Sequence, residues 1–339
     1  MYQLRNYIIK HISALFFSFY MPIFVIASVA ILIKLAKMTA IIHLTIMDMV
    51  NMYLFLIPEI LFYTLPIIFV VASAIALFRL SNDNETIVIF ALGISPKFLL
   101  KTIFKPAFLL FLLLIFDFFI VLPHATIMYR NFREQKIQET QFNLSASEFG
   151  HKFGNWLLFI GKKEEDGTMK NLFLFNSSKQ EEVLISAKKG YIINHDSVLT
   201  LKLLDGEGYS YSKKLFTQTE YETMFINNSV KSGSFKYEKP LDYWTSDYRR
   251  KNKDKKIVFG ILFSLFPITS LYFILSLGIL NARHQKSKIY LYLFLGIMFY
   301  FIPTLTLQKI LGFYTIPVVL TMWIVSTYLL YKRTILKRF

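Results

Sequence analysis

Six blocks of apolar residues, each about 20 residues long, constrain the fold of this chain more than any other feature of its sequence. A stretch of that length is what an α-helix needs to cross roughly 30 Å of hydrocarbon. With 55% hydrophobic residues, the chain is also too apolar for an ordinary soluble domain. We therefore predict an α-helical polytopic membrane protein with six transmembrane helices, three before and three after a central segment. The blocks lie near residues 12–35, 53–78, 99–122, 257–280, 289–307 and 313–331.

The distribution of basic residues predicts how the chain is threaded through the membrane. Short cytoplasmic segments carry an excess of lysine and arginine, whereas long segments cross largely regardless of charge. With the N-terminus inside, short outer segments carry only Lys34, Lys37 and Lys309. Thirteen basic residues then fall on short cytoplasmic segments: Arg5, Lys10, Arg79, Lys97, Lys101, Lys105, Arg283, Lys286, Lys288, Lys332, Arg333, Lys337 and Arg338. Both termini are therefore expected in the cytoplasm. The same bias accounts for most of the net charge of +16, which disfavours a nucleic-acid partner.

The central segment has the sequence pattern of an all-β domain. Runs of β-favouring residues recur at 155–163, 171–176, 182–193, 198–212 and 221–227, and Asp166-Gly167 has the composition of a hairpin turn. Five or more such strands indicate a sandwich, a jelly roll or an open barrel, and we predict a jelly-roll-like domain. The chain has no cysteine, so this domain is expected to fold without disulfides. The expected division is 1–122 for helices 1–3, 123–256 for the exported β domain with its linkers, and 257–339 for helices 4–6 and a tail.

Residues 79–98, RLSNDNETIVIFALGISPKF, form the polar interruption between the second and third apolar blocks. The pattern predicts a short helix of its own, with Ser81 as its N-cap and acidic residues in its first turn, where they suit the helix dipole. Gly93 is expected to end this helix, and Ser95-Pro96 to begin the next. A short helix here is a handle by which a cytoplasmic protein could move the membrane helices. Its acids are Asp83 and Glu85, and its apolar stripe is Val88, Ala91 and Leu92.

Two pairs of basic residues near the outer membrane surface are candidates for binding an anionic lipid. Lys34 and Lys37 are three residues apart at the end of the first block, and so share a helix face. Their ammonium groups either meet an anionic partner or simply extend to the headgroups. Arg130 and Arg133 share a face of a polar helical extension after the third block. Their guanidinium groups suit phosphate, and the alternative is an ordinary solvated helix surface.

Two acidic residues, Glu59 and Asp117, lie inside apolar blocks. An ionisable group within a membrane span is a functional candidate by default because its burial is costly. The alternative is simple pairing with Lys34, Lys37 or Lys309, which is equally compatible with the sequence.

The sequence lacks the motifs of common catalytic and nucleotide-binding sites. It contains no GxxxxGK[ST] phosphate loop and no GxSxG nucleophile turn. Its six histidines are scattered without HxxxH spacing, so no metal site is predicted. We expect neither catalysis nor a bound cofactor in this chain.

The residues quoted above resemble those of the lipopolysaccharide-export permeases of the LptF/LptG type. The resemblance covers nearly the whole chain: three spans, an exported β domain and three more spans. Its sharpest part is RLSNDNETIVIFALGIS, which is similar to the family's cytoplasmic coupling helix and places the coupling glutamate at Glu85. The run 130–133, RNFR, resembles LptG, whereas Ile57-Pro58-Glu59 and the run 281–285, NARHQ, look more like LptF. The paralogue therefore stays open.

The resemblance implies a subunit of an ABC transporter in the inner membrane of a Gram-negative bacterium. Its partners would be a paralogous permease, a cytoplasmic ATPase dimer that holds ATP and magnesium, and a single-span protein with its own periplasmic β domain. The substrate would be lipopolysaccharide, passed from the inner membrane to a periplasmic bridge. The residues implied in ATPase coupling are Arg79, Asp83, Glu85, Val88, Leu92 and Gly93. The basic candidates for lipid binding, Lys34, Lys37, Arg130 and Arg133, match basic positions of the family. Glu59 and Asp117 are added to the lipid-binding candidates as ionisable groups within spans. Apolar residues on both faces of the strands, such as Trp156, Phe159 and Phe173, suggest that the lipid path continues through the domain's interior.

Two other functions remain open from the sequence. The chain could be a membrane-anchored sensor with an exported β domain, or a membrane enzyme of envelope assembly. A sensor would more often have fewer spans and a cytoplasmic output domain, and an enzyme would need clustered acids or histidines. Co-purification with an ATPase would favour export, and with a kinase, sensing.

Overall fold

Two compact units make up the computed structural model of this chain. One comprises Met1–Lys37, Met47–Tyr129 and Glu238–Phe339, and the other comprises Met38–Ile46 and Arg130–Tyr237. The first is helical, and the second contains a β-sheet. The structure describes residues 1–39, 42, 44–142, 147–153, 156–164, 167–177, 181–195, 198–212, 215–228, 243–244, 250–279 and 288–336.

The α-helices fall where the apolar blocks predict them. Those with defined bounds are α1 (Tyr2–Thr39), α2 (Ile46–Asn82), α3 (Glu85–Ala91), α4 (Pro96–Phe116), α5 (Leu122–Phe142), α6 (Arg250–Thr269), α7 (Leu271–Gly278), α8 (Ile289–Leu311) and α9 (Thr315–Tyr331). A π-helical turn, Asp117–Val121, joins α4 to α5, and a second one, Lys332–Leu336, follows α9. A 3₁₀ turn, Gly312–Tyr314, joins α8 to α9.

Four helical stretches of the described chain are long and apolar enough to cross a membrane, and the bent pair α6–α7 adds a fifth. The longest stretch, Ile289–Leu336, contains both α8 and α9. These two helices fold back on each other at Gly312, whose φ is +53°. The evidence is that the rings of Tyr300 and Trp323 lie only 5.3 Å apart. A continuous helix would separate those residues by about 35 Å. The hairpin favours six spans, and the exact count stays a prediction.

Helix α2 is the centre of the helical unit. Its second half, from Pro66 to Ser81, is buried at most positions. Small residues there allow close approach of neighbouring backbones, as is common where helices pack in membranes. At Gly278 of α7, an added Cβ would lie 2.4 Å from the Cβ of Leu77 and 3.2 Å from the carbonyl oxygen of Ala74. The backbones of α2 and α7 therefore approach each other closely at Gly278.

The second unit contains six antiparallel strands paired in the order of the sequence, from β1 to β6. The predicted fold class, a helical membrane protein with an inserted all-β domain, is confirmed. The described strands form a meander, so the jelly-roll form itself stays a prediction. Their bounds are β1 (Ser147–Phe153), β2 (Trp156–Lys163), β3 (Met169–Ser177), β4 (Glu181–His195), β5 (Val198–Ser212) and β6 (Leu215–Asn228).

Strands β2 to β6 match the predicted runs, whereas β1 was not predicted. Its sequence, SEFGHKF, includes a glycine and polar residues, and its pairing with β2 is irregular between Ser147 and His151. The predicted hairpin between β2 and β3 is present. Gly167 has φ +87°, and the amide of Glu164 donates to the carbonyl of Thr168 at 2.8 Å, while Asp166 lies outside the described residues.

The two faces of the sheet differ in burial. One face forms an apolar cluster that includes Leu158, Leu172, Leu174 and Leu203, each fully buried, with Trp156 packed against it. The opposite face exposes apolar residues such as Phe173. Apolar residues lie on both faces, as predicted. In the described strands the side chains of the inner face pack on one another, and a lipid path through the interior of the domain stays a prediction.

Strands β4, β5 and β6 approach closely at Gly206. The hydroxyl of Tyr221 in β6 reaches across this glycine and donates to the carbonyl oxygen of Ser186 in β4 at 2.7 Å. Burial raises the pKa of Tyr221 to about 12, so the phenol stays a hydrogen-bond donor. A Cβ at position 206 would lie 2.0 Å from the same carbonyl oxygen and 2.4 Å from the phenol oxygen.

We predict that Gly206→Ala lowers the unfolding free energy of the β domain by roughly 1–3 kcal/mol, because backbone and side chain must both shift. Gly208→Ala, two residues along the same strand, is the matched control, since its Cβ would meet a single carbonyl oxygen at 3.8 Å. Hydrogen exchange of strands β4–β6 in the full-length protein measures the difference. Equal protection in the two variants would contradict the prediction.

Candidate functional site

The turn between α2 and α4 is built to present a short helix. Helix α3 begins at Glu85, directly after Asn84, whose backbone is left-handed with φ +60°. Asparagine is among the residues that tolerate this conformation. At the other end, the amide of Gly93 donates to the carbonyl of Phe90 at 2.9 Å and the amide of Ile94 to that of Ile89 at 3.3 Å. This is a Schellman C-cap, which needs the left-handed φ of +79° at Gly93.

The predicted boundaries of this helix are partly right. Gly93 ends it, and Ser95-Pro96 begins α4, with Pro96 as the first helical residue. The predicted N-cap, Ser81, is wrong because α2 continues through Asn82 and Ser81 is buried within it. Tertiary packing of the end of α2 thus outweighs the capping preference of serine.

One side of α3 packs inward, and the other is an exposed apolar surface. Thr86 and Ile89 are buried, whereas the side chains of Val88 and Leu92 are 57% and 74% exposed. Ala91 is also exposed, so the predicted stripe lies on the surface, and Ile87 extends it. The coupling candidates Arg79 and Asp83 are exposed beside it. A short helix that shows apolar side chains and flanking charges suits a groove on a partner protein.

Glu85 has an intramolecular partner that the sequence did not reveal. The hydroxyl of Tyr7, on α1, donates to both carboxylate oxygens of Glu85 at 2.9 Å. The ring of Tyr7 contacts His11 one turn later, edge to face, with ring centroids 4.5 Å apart. The acid is therefore held in one orientation at the start of α3.

The basic candidates are all exposed, and they lie in both units. Lys34 and Lys37 lie near the end of α1, in the helical unit, on one face of the helix. Arg130 and Arg133 lie on α5, also on one face, in the residues that belong to the second unit. Each pair presents two cations side by side, as an anionic headgroup would require.

Glu59 lies at a cavity of about 420 Å³ in the helical unit, and this cavity has aromatic walls. Its lining includes Tyr63 on α2 and Gln308 on α8. Lys255 and Lys256, in the first two turns of α6, also line this cavity. In the described part of the chain, neither Glu59 nor Asp117 forms an ion pair with Lys34, Lys37 or Lys309. The cavity thus combines apolar walls with charges of both signs.

Asp117 is buried, with 6% of its side chain exposed, and starts the π-helical turn between α4 and α5. Its Oδ2 has no hydrogen-bond partner in the described residues. The next residue, Phe118, lines the cavity and stacks on Phe62 of α2, with ring centroids 5.3 Å apart. Trp244 also contacts the π-helical turn, because its indole N–H donates to the carbonyl of Phe119 at 3.3 Å. π-Helical turns are frequent at functional sites.

Several of these residues could not be found from the sequence, because the residues they contact are far away along the chain. Tyr7 and Trp244 meet partners 78 and 125 residues away. Lys255 and Lys256 belong to the basic run 249–256, RRKNKDKK, which precedes the fourth span. This run lies on the predicted outer side, against the simple charge rule, and that mismatch was a signal in the sequence. The LptF-like run 281–285 lies outside the described residues.

The fold and these surfaces define a class of protein: a multi-helix membrane protein with an inserted β domain and a short exposed helix between two membrane-capable helices. In the described residues, no three His, Cys, Asp or Glu side chains are grouped to hold a metal ion. The family model described as "Lipopolysaccharide export system permease LptF/LptG" matches residues 6–331. The chain belongs to this family of inner-membrane lipopolysaccharide transport permeases. No curated protein matched the chain in a whole-sequence comparison.

We predict that Asp117→Asn leaves the stability of the protein within about 1 kcal/mol of wild type or raises it, because a buried carboxyl with an unpaired oxygen stabilises little. If Asp117 serves transport, lipid release from reconstituted vesicles falls in the same variant. Thermal unfolding in detergent and lipid release are measured side by side, and Glu222→Gln, at an exposed residue of β6, is the control for a lost carboxylate. A destabilised Asp117→Asn protein would show that the acid has a structural role instead.

Proposed function

We propose that this chain is one permease subunit of an ABC transporter that extracts lipopolysaccharide from the inner membrane and passes it to a periplasmic bridge toward the outer membrane. ATP hydrolysis takes place in a separate cytoplasmic subunit. In this proposal both termini and α3 face the cytoplasm, and the β domain is periplasmic, as the distribution of basic residues predicts.

The observation that carries the proposal is the geometry of α3. This helix is joined by short turns to α2, whose second half is buried at most positions, and to α4. Its exposed apolar face and Glu85 form a surface to which a partner can bind. The buried residues Thr86 and Ile89 pack α3 against the rest of the helical unit. A displacement of α3 must therefore move the helices on either side of it.

The lipid is expected to bind through its phosphate groups. Lys34 and Lys37 on α1, and Arg130 and Arg133 on α5, supply exposed cations for charge-assisted hydrogen bonds. Glu59 and Asp117 are proposed to act at the cavity of the helical unit that Glu59 and Phe118 line. The β domain then takes the lipid onward.

The proposed partners are a paralogous permease, an LptB-like ATPase dimer and an LptC-like single-span protein. Helices α1 and α8 expose apolar side chains along much of their length, including Phe17, Ile26, Phe294 and Ile302. Such faces suit lipid or the helices of a second permease. This chain is placed as either the LptF-like or the LptG-like member.

We expect Glu85→Lys to weaken ATPase binding or to uncouple hydrolysis from export, because it reverses the charge at the edge of the docking face. Folding should change little, since an acid in the first turn of a helix contributes about 0.3–1 kcal/mol. The measurement is lipid release together with ATP turnover in reconstituted vesicles, after assembly has been checked by co-purification.

Glu85→Gln is the matched control, because it keeps the side-chain size and removes the charge. If the carboxylate is needed for docking, Glu85→Gln lies between wild type and Glu85→Lys. If Glu85→Lys assembles, hydrolyses ATP and exports lipid at the normal rate, α3 is not the coupling element.

The second expectation concerns the basic pairs. Replacing both members of either pair, Lys34 and Lys37 or Arg130 and Arg133, by alanine should lower photo-crosslinking of lipopolysaccharide to a probe at Ile33. Each charge-assisted contact is worth roughly 1.5–3 kcal/mol where solvent is excluded, and less where water screens it.

Lys309→Ala is the control for this experiment, since Lys309 is another exposed lysine on a predicted outer segment. Its crosslinking should match that of wild type. Unchanged crosslinking in both double variants would leave the four basic residues with a purely interfacial role.

A further inference from the structure

The contact between Tyr7 and Glu85 joins two helices that are distant in the chain. The phenol of Tyr7 is 39% exposed, and its hydroxyl lies 2.9 Å from each carboxylate oxygen. Helix α3 is linked to α2 and α4 by the backbone, whereas it is linked to α1 through this side-chain hydrogen bond. Any movement of Glu85 therefore acts directly on α1.

Helix α1 is packed in a way that permits such a response. Its first half is anchored in the core by Ile8, Ile12 and Leu15. From Phe17 to Ile33 most of its side chains are exposed or half-buried. An apolar cavity of about 250 Å³, lined by residues of α1, α2 and α4, leaves the helix loosely packed on one side.

Pro22 lies in the loosely packed part of α1. Proline has no backbone N–H, so the carbonyl of Ser18 loses its helical partner and the helix bends more readily there. A displacement at Tyr7 is thus free to change the direction of the half of α1 that carries Lys34 and Lys37.

We infer that Tyr7 is a positioning residue that couples the movement of α1 to that of the coupling helix α3. One cycle of ATP hydrolysis then also moves Lys34 and Lys37, the proposed lipid-binding lysines. The inference rests on the proposed function. A carboxylate has about four acceptor sites, and one phenol leaves the others for a donor on the ATPase. The carboxylate of Glu85, on α3, thereby binds Tyr7 of α1 and still has acceptor sites for the ATPase.

The test compares Tyr7→Phe with Tyr2→Phe in the assembled transporter, reconstituted in vesicles. Tyr2 lies on the same end of α1 and is exposed, so its hydroxyl is the matched control. Spin labels on cysteines introduced at Leu32 and Ile310, both exposed, report the position of α1, and the chain has no native cysteine to remove. Distances are measured with and without ATP.

In wild type and Tyr2→Phe, ATP should change the distance between the labels. In Tyr7→Phe, that change should shrink, and lipid released per ATP should fall roughly three- to ten-fold. This is the factor for one hydrogen bond of ordinary strength, because solvent screens the charge at this exposed contact. ATPase binding should stay normal. In a Glu85→Ala background, Tyr7→Phe should have no additional effect.

Each contrary result has a distinct meaning. If Tyr7→Phe behaves as Tyr2→Phe does in both distance and lipid yield, α1 does not follow α3 through Tyr7, and the inference is overturned while the proposed function stands. Loss of ATPase binding in Tyr7→Phe also overturns it, because Tyr7 would then belong to the docking face. If the wild-type chain binds no ATPase, the proposed function fails and the inference with it.

Discussion

The helical unit is governed by the need to satisfy backbone hydrogen bonds where water is absent. Hydroxyl side chains within the helices donate to carbonyls of their own preceding turn, as Thr102, Ser264 and Thr327 do. Proline residues free further carbonyls, and other polar side chains cross between helices to reach backbone oxygens. Tyr300 of α8 donates to the carbonyl of Leu262 in α6 at 2.7 Å. The same requirement explains Trp244, whose indole occupies an acceptor in the π-helical turn. The hydrogen bonds of these side chains, within one helix and between helices, thus follow from this one constraint.

The sequence predicted elements whose signals are local and failed where packing decides. Apolar blocks of about 20 residues located the helices, because the thickness of hydrocarbon sets their length. Gly93 and Ser95-Pro96 marked helix ends, because their backbone preferences are intrinsic. Ser81 did not act as a cap, because α2 had apolar contacts to gain by continuing. The partner of Glu85 was beyond prediction, since 78 residues separate it from Tyr7.

The candidate site shows the same limit. The exposure of Val88 and Leu92 followed from helical spacing. The cavity beside Glu59 did not, because its walls come from four helices and the segment at Tyr243–Trp244. The filled inner face of the β-sheet was likewise hidden, since apolar residues on both faces are compatible with an open channel and with a closed core. Composition sets how much apolar surface a sheet has, and only the fold decides which face is covered.

The π-helical turn has a consequence for the length of the third span. One extra residue in a turn advances every later side chain by about 100° around the helix axis. With this phase, Leu122 and Thr126 continue the line of Phe118 along the wall of the cavity. Shortening the turn by one residue would rotate both of them away while leaving the composition of the span almost unchanged. The position of Leu122 and Thr126 at the cavity therefore depends on the number of residues in the turn, because that number sets the angular register of the helix that follows.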